Sequence, residues 1–390
     1  FNNQLEIPKY SRMVSHNEIS DPKNDFNLNI PRYIDSQEEE DIHNIEAHLH
    51  GGIPEKDVND LDRYWQAFPS LKTVLFKAGI RDGFYDLKVE PSLIKKTIFE
   101  HPDFKSYSEK VEDVLNSWGD KHLPYLNKID AGVKPKETIW YLAEDLLQKF
   151  SDIPLIDKYD IYQCLMNYWM NTMQDDVYQI ADEGWKATPS MNGKKKSWDC
   201  DLLPKYLVIN KFYGTQQQQI EQLEADREAI KQQMAELEEE HGGEDGLLSE
   251  AKTEKDKITK ASVHKRLKEI RGDNDYADEV DLLEKYQKLF DKEADLGKKV
   301  KEAEEELDKI LLARYKSLTT DEIKDLVIND KWITSINGEI KNEVERVSQR
   351  LAQRIKELAE RYQSTLSDIS ARVDEYEKKV QEHLKKMGFN

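Results

Sequence analysis

Ile340-Lys341-Asn342-Glu343-Val344-Glu345-Arg346-Val347-Ser348-Gln349-Arg350-Leu351-Ala352-Gln353-Arg354-Ile355-Lys356-Glu357-Leu358-Ala359-Glu360-Arg361-Tyr362 sets a large apolar residue at every third or fourth position among charged and polar ones. Side chains at that period share one face of an α-helix. The pattern runs on through Leu366, Ile369, Val373, Tyr376, Val380, Leu384 and Met387. Its mean spacing of about 3.6 matches an unstrained helix better than the roughly 3.5 of a heptad coil. One nearly straight helix after Asn337-Gly338, roughly 70 Å long, is therefore expected. A stripe of that length needs a long partner, either in this chain or in another subunit. The residues expected to meet another subunit are Val344, Val347, Leu351, Ile355, Leu358, Tyr362, Leu366, Ile369 and Val373.

Upstream, Thr319-Thr320-Asp321-Glu322 is a capping-box signature ahead of Ile323 and Leu326. Before it lie two heptad seams. The first is Tyr213, Gln216, Ile220, Leu223, Arg227, Ile230, Met234 and Leu237, with two polar interruptions. The second is Leu282, Tyr286, Leu289, Glu293, Leu296, Val300, Ala303, Leu307 and Ile310. His241-Gly242-Gly243-Glu244-Asp245-Gly246 breaks the helix between them, and Arg271-Gly272-Asp273-Asn274 forms a further break. The seams are expected to fold back on each other as an antiparallel hairpin.

Further upstream the composition changes. Residues 137–185 are the most apolar stretch, with Trp140, Leu142, Leu146, Leu147, Phe150, Tyr162, Leu165, Tyr168, Trp169 and Trp185 as the expected core of a compact helical unit. A Gly193-Lys194-Lys195-Lys196 turn follows it. Short helices are expected at Val58–Phe68, Leu71–Phe76, Pro91–Glu100 and Tyr107–Trp118, and an acidic one starting between Ser36 and Ile45. The opening reads as an extended tail with one or two short strands. In it, Asn29-Ile30-Pro31-Arg32-Tyr33-Ile34 is expected to be extended, because the residue before a proline avoids the α region. The fold class is mainly α: a short extended or β N-terminal tail, a compact helical domain, then long antiparallel coiled-coil-like helices.

Charged residues make up 35% of the 390-residue chain and hydrophobic ones 38%, enough for a core with charge left over for long solvated helices. A net charge of −20 makes the chain as a whole a poor autonomous binder of nucleic acid, since phosphate neutralisation drives most of that affinity. No apolar run approaches the roughly 20 residues of a membrane span, so no membrane partner is expected. Cys164 and Cys200 are far apart with no C-x-x-C spacing, which argues against a disulfide framework or structural zinc and fits a reducing cytoplasm. The opening without Met reads as that of a fragment.

The candidate chemistry is thin. Asn29-Ile30-Pro31-Arg32-Tyr33 superficially resembles the Asn/Asp-Pro-Pro-aromatic motif of adenine methyltransferases, but Arg32 holds the second proline position and no G-x-G loop precedes it. His43, His48 and His50 near Glu46 read as a helix terminus, with no evident fourth metal ligand. Gly51-Gly52 and Gly242-Gly243 lack the setting of a phosphate loop and read as turns. Lys194–Lys196 reads as a solvated loop more than as a phosphate contact. No catalytic, cofactor-binding or metal-binding residue is expected in this chain.

Three strings carry a family resemblance. Tyr10-Ser11-Arg12-Met13-Val14-Ser15-His16-Asn17-Glu18-Ile19 with Asp25-Phe26-Asn27-Leu28-Asn29-Ile30-Pro31-Arg32-Tyr33-Ile34 closely resembles the segment that closes the catalytic domain of type I restriction-modification modification subunits. The second is Tyr162-Gln163-Cys164-Leu165-Met166-Asn167-Tyr168-Trp169 with Met173-Gln174-Asp175-Asp176-Val177-Tyr178. The third is Lys331-Trp332 with Leu358-Ala359-Glu360-Arg361-Tyr362 and His383-Leu384-Lys385-Lys386-Met387-Gly388-Phe389. None is a catalytic motif.

The resemblance implies a parent enzyme that transfers a methyl group from S-adenosylmethionine to adenine N6, with its catalytic motifs upstream of Tyr10. Its partners would be a specificity subunit and a second modification subunit, with or without restriction subunits, and the assembled complex would hold DNA. On this reading residues 1–35 are a tail closing the methyltransferase domain and 36–212 a compact helical domain. Residues 213–318 are then a helical hairpin and 319–390 a long helix for subunit association. The alternative is a stand-alone coiled-coil scaffold or adaptor.

Overall fold

A computed structural model describes residues 5–6, 11–34, 42–192 and 197–388. Ser36–Asp41, Gly193–Lys196, Tyr10 and Phe389, which carry parts of the expectations above, lie outside the described residues. The fold is mainly α, 72% helical with 4% strand. Its principal helices are α1 (Ile45–His50), α2 (Pro102–Leu126), α3 (Pro135–Lys149), α4 (Lys158–Tyr168), α5 (Gln174–Glu183), α6 (Lys205–Phe212), α7 (Gly214–His241), α8 (Lys260–Ile270), α9 (Ala277–Ser317), α10 (Thr334–Gln363) and α11 (Leu366–Lys386). The strands are β1 (Ile53–Pro54), β2 (Phe76–Ala78), β3 (Phe84–Leu87), β4 (Ser190–Asn192) and β5 (Ser197–Asp199).

The chain divides into two compact units, one of residues 1–62, 72–94 and 353–390, the other of 63–71 and 95–352. In the first, β3 pairs antiparallel with β1 on one side and β2 on the other, setting Tyr85 opposite Ile53 and Leu87 opposite Phe76. This sheet replaces the end of the helix expected over Leu71–Phe76, which stops at Leu75. Gly52 adopts φ +86°, and a Cβ there would stand 3.3 Å from that of Phe84, so glycine satisfies both the backbone and the space beside β3. The buried residues of this unit include Ile53, Val58, Leu61, Leu75, Phe76, Ile355, Leu358 and Tyr362.

The N-terminal segment departs from the extended reading. Ser15 caps one turn of helix at His16–Ile19, and Ile30–Arg32 forms a 3-10 turn with Pro31 in its first positions. Proline suits a first turn because its missing N–H would be unpaired there anyway, and that outweighs the bias at Ile30. The described part of the acidic helix begins only at Ile45, where Asn44 accepts from the Ala47 N–H.

In the second unit, α2 buries Phe104, Tyr107, Val111, Leu115, Trp118, His122 and Leu126 at three- and four-residue spacing. The core continues through Leu142 and Leu146 of α3, Ile161 and Leu165 of α4, then Trp169, Met173, Val177 and Ile180. Trp140, expected inside, is 66% exposed. It lies on the face of α3 away from Leu142 and Leu146, so its place in an apolar stretch did not decide its burial.

The two seams do form an antiparallel hairpin, α7 against α9. Arg227 Nε donates to Glu293 Oε1 at 2.7 Å, and Tyr286 donates to Glu238, so residue numbers fall along one arm as they rise along the other. The polar interruptions Arg227 and Glu293 therefore meet each other. Gly297 leaves room for them, since a Cβ there would approach the Arg227 guanidinium to 3.2 Å. A polar pair within an apolar seam fixes register, because slipping either arm strands a charge.

At its base the arm is pinned by Tyr315, whose hydroxyl donates to the Leu203 carbonyl at 2.6 Å, and by Asp308, which accepts from Trp198 Nε1 at 2.8 Å and from Lys205. At its far end the chain builds a small lobe with its own core of Met234, Leu237, Leu248, Ala251, Val263, Leu267, Ile270, Leu283, Tyr286 and Leu289. Helix α8 belongs to this lobe and starts at a Thr259–Ser262 capping box.

The capping box at Thr319 is also present, with Glu322 accepting from the Thr319 N–H at 2.9 Å. From Thr320 the chain stays helical to Gln363, but Asp325–Ile333 is wound as a π-helix. The single last helix is not formed. It ends at Gln363, and a third capping box, Thr365 with Asp368, starts α11 as a separate helix.

Candidate subunit-docking surface

That break divides the nine residues expected to meet a partner. Val344, Val347, Leu351, Ile355, Leu358 and Tyr362 lie on α10 and are at most 5% exposed. They are covered by this chain's own residues. The Tyr362 hydroxyl donates to Asp57 Oδ2 at 2.9 Å and accepts from the Asn44 N–H, with the His48 ring beside it at 5.0 Å. Burial pushes this phenol's pKa up, and the neighbouring Asp57 carboxylate adds to the shift.

Leu366, Ile369 and Val373 lie on α11 and are exposed. With Tyr376, Val380, Leu384 and Met387 they form one stripe in which every member is between 43% and 71% exposed. Helix α11 buries no residue, although its apolar and polar faces are sharply segregated. Along one edge of the stripe run Arg372, Lys379 and Lys386, seven residues apart, and outside them Asp368, Glu375 and Glu382 at the same interval. Lys379 already pairs with Glu375 at 2.6 Å. A contiguous apolar helix face rimmed by charge is the usual mark of an interaction site.

Asp176 and Tyr168 of the second string meet Lys331-Trp332 of the third inside the second unit, where they build a buried clasp. Lys331 Nζ donates to Asp176 Oδ1 at 2.8 Å, to the Leu202 carbonyl at 2.9 Å and to the Asp201 carbonyl at 3.0 Å. Trp332 Nε1 donates to the other oxygen of the same carboxylate at 2.8 Å. The Tyr168 hydroxyl donates to the Lys331 carbonyl. Neighbouring residues on a regular α-helix point about 100° apart; the π-helical winding of Asp325–Ile333 accompanies the convergence of Lys331 and Trp332 on one acceptor. A second π-helical turn, Trp169–Met173, lies just before Asp176. Burial pushes the Asp176 carboxyl up, while the Lys331 ammonium and the two donors pull it back. All three protons of the ammonium are taken, so the clasp holds elements together and leaves no group poised to react.

His122 is a further buried titratable group of this unit. Its side chain has no solvent exposure, and its Nε2 lies 3.0 Å from Asp145 Oδ2 while Nδ1 has no hydrogen-bond partner. Burial lowers its pKa from 6.5, opposed by Asp145 and assisted by Lys121 and Lys149. A depressed histidine contributes stability that is complete above its unfolded pKa and lost as pH falls through the folded one. Urea midpoints measured from about pH 8 down to about pH 5 should thus hold steady and then decline below about 6.5, with His122→Gln flattening the decline. A wild-type curve level across that range would contradict the assignment.

Among the described residues no group of three or more His, Cys, Asp and Glu is arranged to hold a metal ion. His48 and His50 sit in the last turn of α1, and His43 Nδ1 lies 3.1 Å from His48 Nε2. Gly51 follows as the helix C-cap at φ +77°, and Gly242 is the C-cap of α7. Among the described residues no helix is long and apolar enough to cross a membrane. Comparison of the chain with protein-family models, with curated proteins and with solved structures finds no match in any of the three.

Proposed function

We propose that this chain is the assembly region of a type I restriction-modification modification subunit, and that α11 docks it on the helical spacers of the specificity subunit. The observation that carries this reading is the α11 stripe, seven exposed apolar residues from Leu366 to Met387 over roughly 30 Å of helix. Helix-on-helix docking buries such a face through anchors three and four residues apart. The basic edge of Arg372, Lys379 and Lys386 favours a partner helix with acidic flanks. The resemblance strings containing Asp176 and Lys331-Trp332 contribute to a packing network, which suits an assembly role better than a catalytic one. S-adenosylmethionine and adenine methylation belong, on this reading, to the parent enzyme, as do the second modification subunit, the restriction subunits and DNA.

The test is capture of the specificity subunit by this chain. Ile369→Asp together with Tyr376→Asp should weaken capture by at least about a hundredfold if both are central anchors, with an unchanged circular dichroism spectrum because both side chains are exposed. Undiminished capture by the double variant would dismiss the docking face. A doubled solution mass that the double variant restores to a monomer, without capture of the specificity subunit, would favour the self-associating scaffold instead.

A further inference from the structure

We infer that the half-open edge of β3 takes an extended peptide segment of another protein, one bearing lysine or arginine, which adds to the sheet where β1 gives out. In an antiparallel ladder, alternate residues turn their N–H and C=O groups to opposite sides. The Lys88 N–H donates to the Leu75 carbonyl at 2.8 Å, and the Phe84 carbonyl accepts from the Gly79 N–H at 2.8 Å, so the even-numbered residues face β2. The odd-numbered ones face β1. Tyr85 stands opposite Ile53, and the Gly83 carbonyl, just before β3, accepts from the Glu55 N–H at 2.9 Å. Leu87 is the next residue in that series.

The same register would set Gly51 opposite Leu87, but β1 begins only at Ile53. Gly51 and Gly52, at φ +77° and +86°, turn the chain away from β3. Both backbone groups of Gly51 are committed elsewhere, its N–H to the Ala47 carbonyl at 2.7 Å and its C=O to Arg81. Among the described residues, Leu87 therefore has no backbone partner on that side, and the Val89 backbone makes no hydrogen bond. Beside them lies a cleft of about 380 Å³ within the first unit, closed opposite β3 by Ala359, Tyr362 and Gln363 at the end of α10.

Two properties name the occupant. An unpaired strand edge offers a donor and an acceptor side by side, the pattern that the backbone of an extended chain matches. Two carboxylates, Asp86 and Glu90, line the cleft, and neither makes an ion pair or hydrogen bond through its side chain among the described residues. The one ammonium in the lining, that of Lys88, donates to the Thr73 carbonyl, on the β2 side of β3. Leu87, Val89 and Ala359 supply apolar wall. Basic and apolar side chains alternating at the strand period of two fit this surface.

The inference rests on the hydrogen bonding of the sheet and not on the proposed function. The experiment is titration of a fluorescent, capped hexapeptide of alternating lysine and valine with the full chain, followed by anisotropy. Saturable binding is expected. Ala359→Phe, which fills the cleft, and Asp86→Lys with Glu90→Lys should each weaken it about tenfold or more, with circular dichroism as the check on folding. Glu339→Lys, exposed on α10 outside the cleft, should leave binding unchanged. Peptides N-methylated at every lysine or at every valine separate backbone pairing from charge, since each set blocks one edge of the strand. One of the two should lose about tenfold or more and the other should bind like the parent. Equal affinity of both methylated peptides would overturn the inference, as would equal affinity of wild type and Ala359→Phe, or no saturable binding up to millimolar peptide. A doubled solution mass abolished by Ala359→Phe, with no peptide bound, would overturn it in favour of a second copy of this chain. None of these outcomes depends on whether α11 captures a specificity subunit, so the two readings fail separately.

Discussion

Replacing Lys331 by methionine is expected to cost about 3–5 kcal/mol of folding stability, the range for breaking a buried ion pair by removing one partner. The side chains of Lys331 and Asp176 are 5% and 6% exposed, so solvent cannot take the place of the lost ammonium. Three acceptors lose their donor together: one oxygen of Asp176 and the carbonyls of Asp201 and Leu202. Asp176 keeps only the Trp332 indole, so it either stays charged without a counterion or takes up a proton.

In the variant only the Trp332 N–H still holds that carboxyl down against burial, and its folded pKa rises further above the unfolded value. A group raised on folding favours the folded state below its unfolded pKa and loses that contribution as pH rises. The deficit of Lys331→Met should therefore be largest at neutral pH and shrink below the ordinary carboxylate range. Adding Asp176→Leu should recover only part of it, because the Trp332 N–H and two carbonyls stay unpaired. Chemical denaturation of the three variants at neutral and acid pH checks this. A single-variant loss under about 1 kcal/mol would mean that water reaches Asp176.

That clasp was invisible as a site in the sequence, although both of its ends stood out as strings. Lys331 and Asp176 are 155 residues apart, and no local period links them. The hairpin, in contrast, was legible, because two heptad seams separated by a glycine-rich break can bury their faces by folding together, although the pairing of Arg227 with Glu293 emerged only in the structure. The break at Ser364 had a local signal as well, Thr365 three residues before Asp368. It was masked because the apolar period continues in step across the interruption, from Tyr362 to Leu366 and Ile369. The sheet of the first unit left no usable pattern, since strands of two to four residues are too short to show alternation. Periodicity also gives the direction in which a face points and nothing about what covers it. This is why one stripe in the sequence became a buried half on α10 and an open half on α11.

Leu351→Asp measures that division directly and is expected to unfold its part of the chain. Leu351 has no exposed surface. Truncating a buried leucine costs about 2–5 kcal/mol, and a carboxylate without a partner adds several more. The sum equals or exceeds the whole stability of an ordinary domain, about 5–15 kcal/mol at its lower end. The one buried carboxylate nearby on the same helix, Glu343, is held by Arg346 at 2.6 Å and Arg350 at 2.7 Å. Those guanidiniums are already engaged, so they offer the new aspartate little compensation. Ile369→Asp, one helix further on, should stay within about 0.5 kcal/mol of wild type, because it changes a side chain that is 47% exposed on a helix that buries no residue. Thermal melts of the two single variants separate the cases. A folded, stable Leu351→Asp would mean that the α10 stripe opens to solvent, and would return its six residues to the surface available to a partner. An Ile369→Asp as damaging as Leu351→Asp would mean that α11 is packed within the chain, and the docking face would be lost with it.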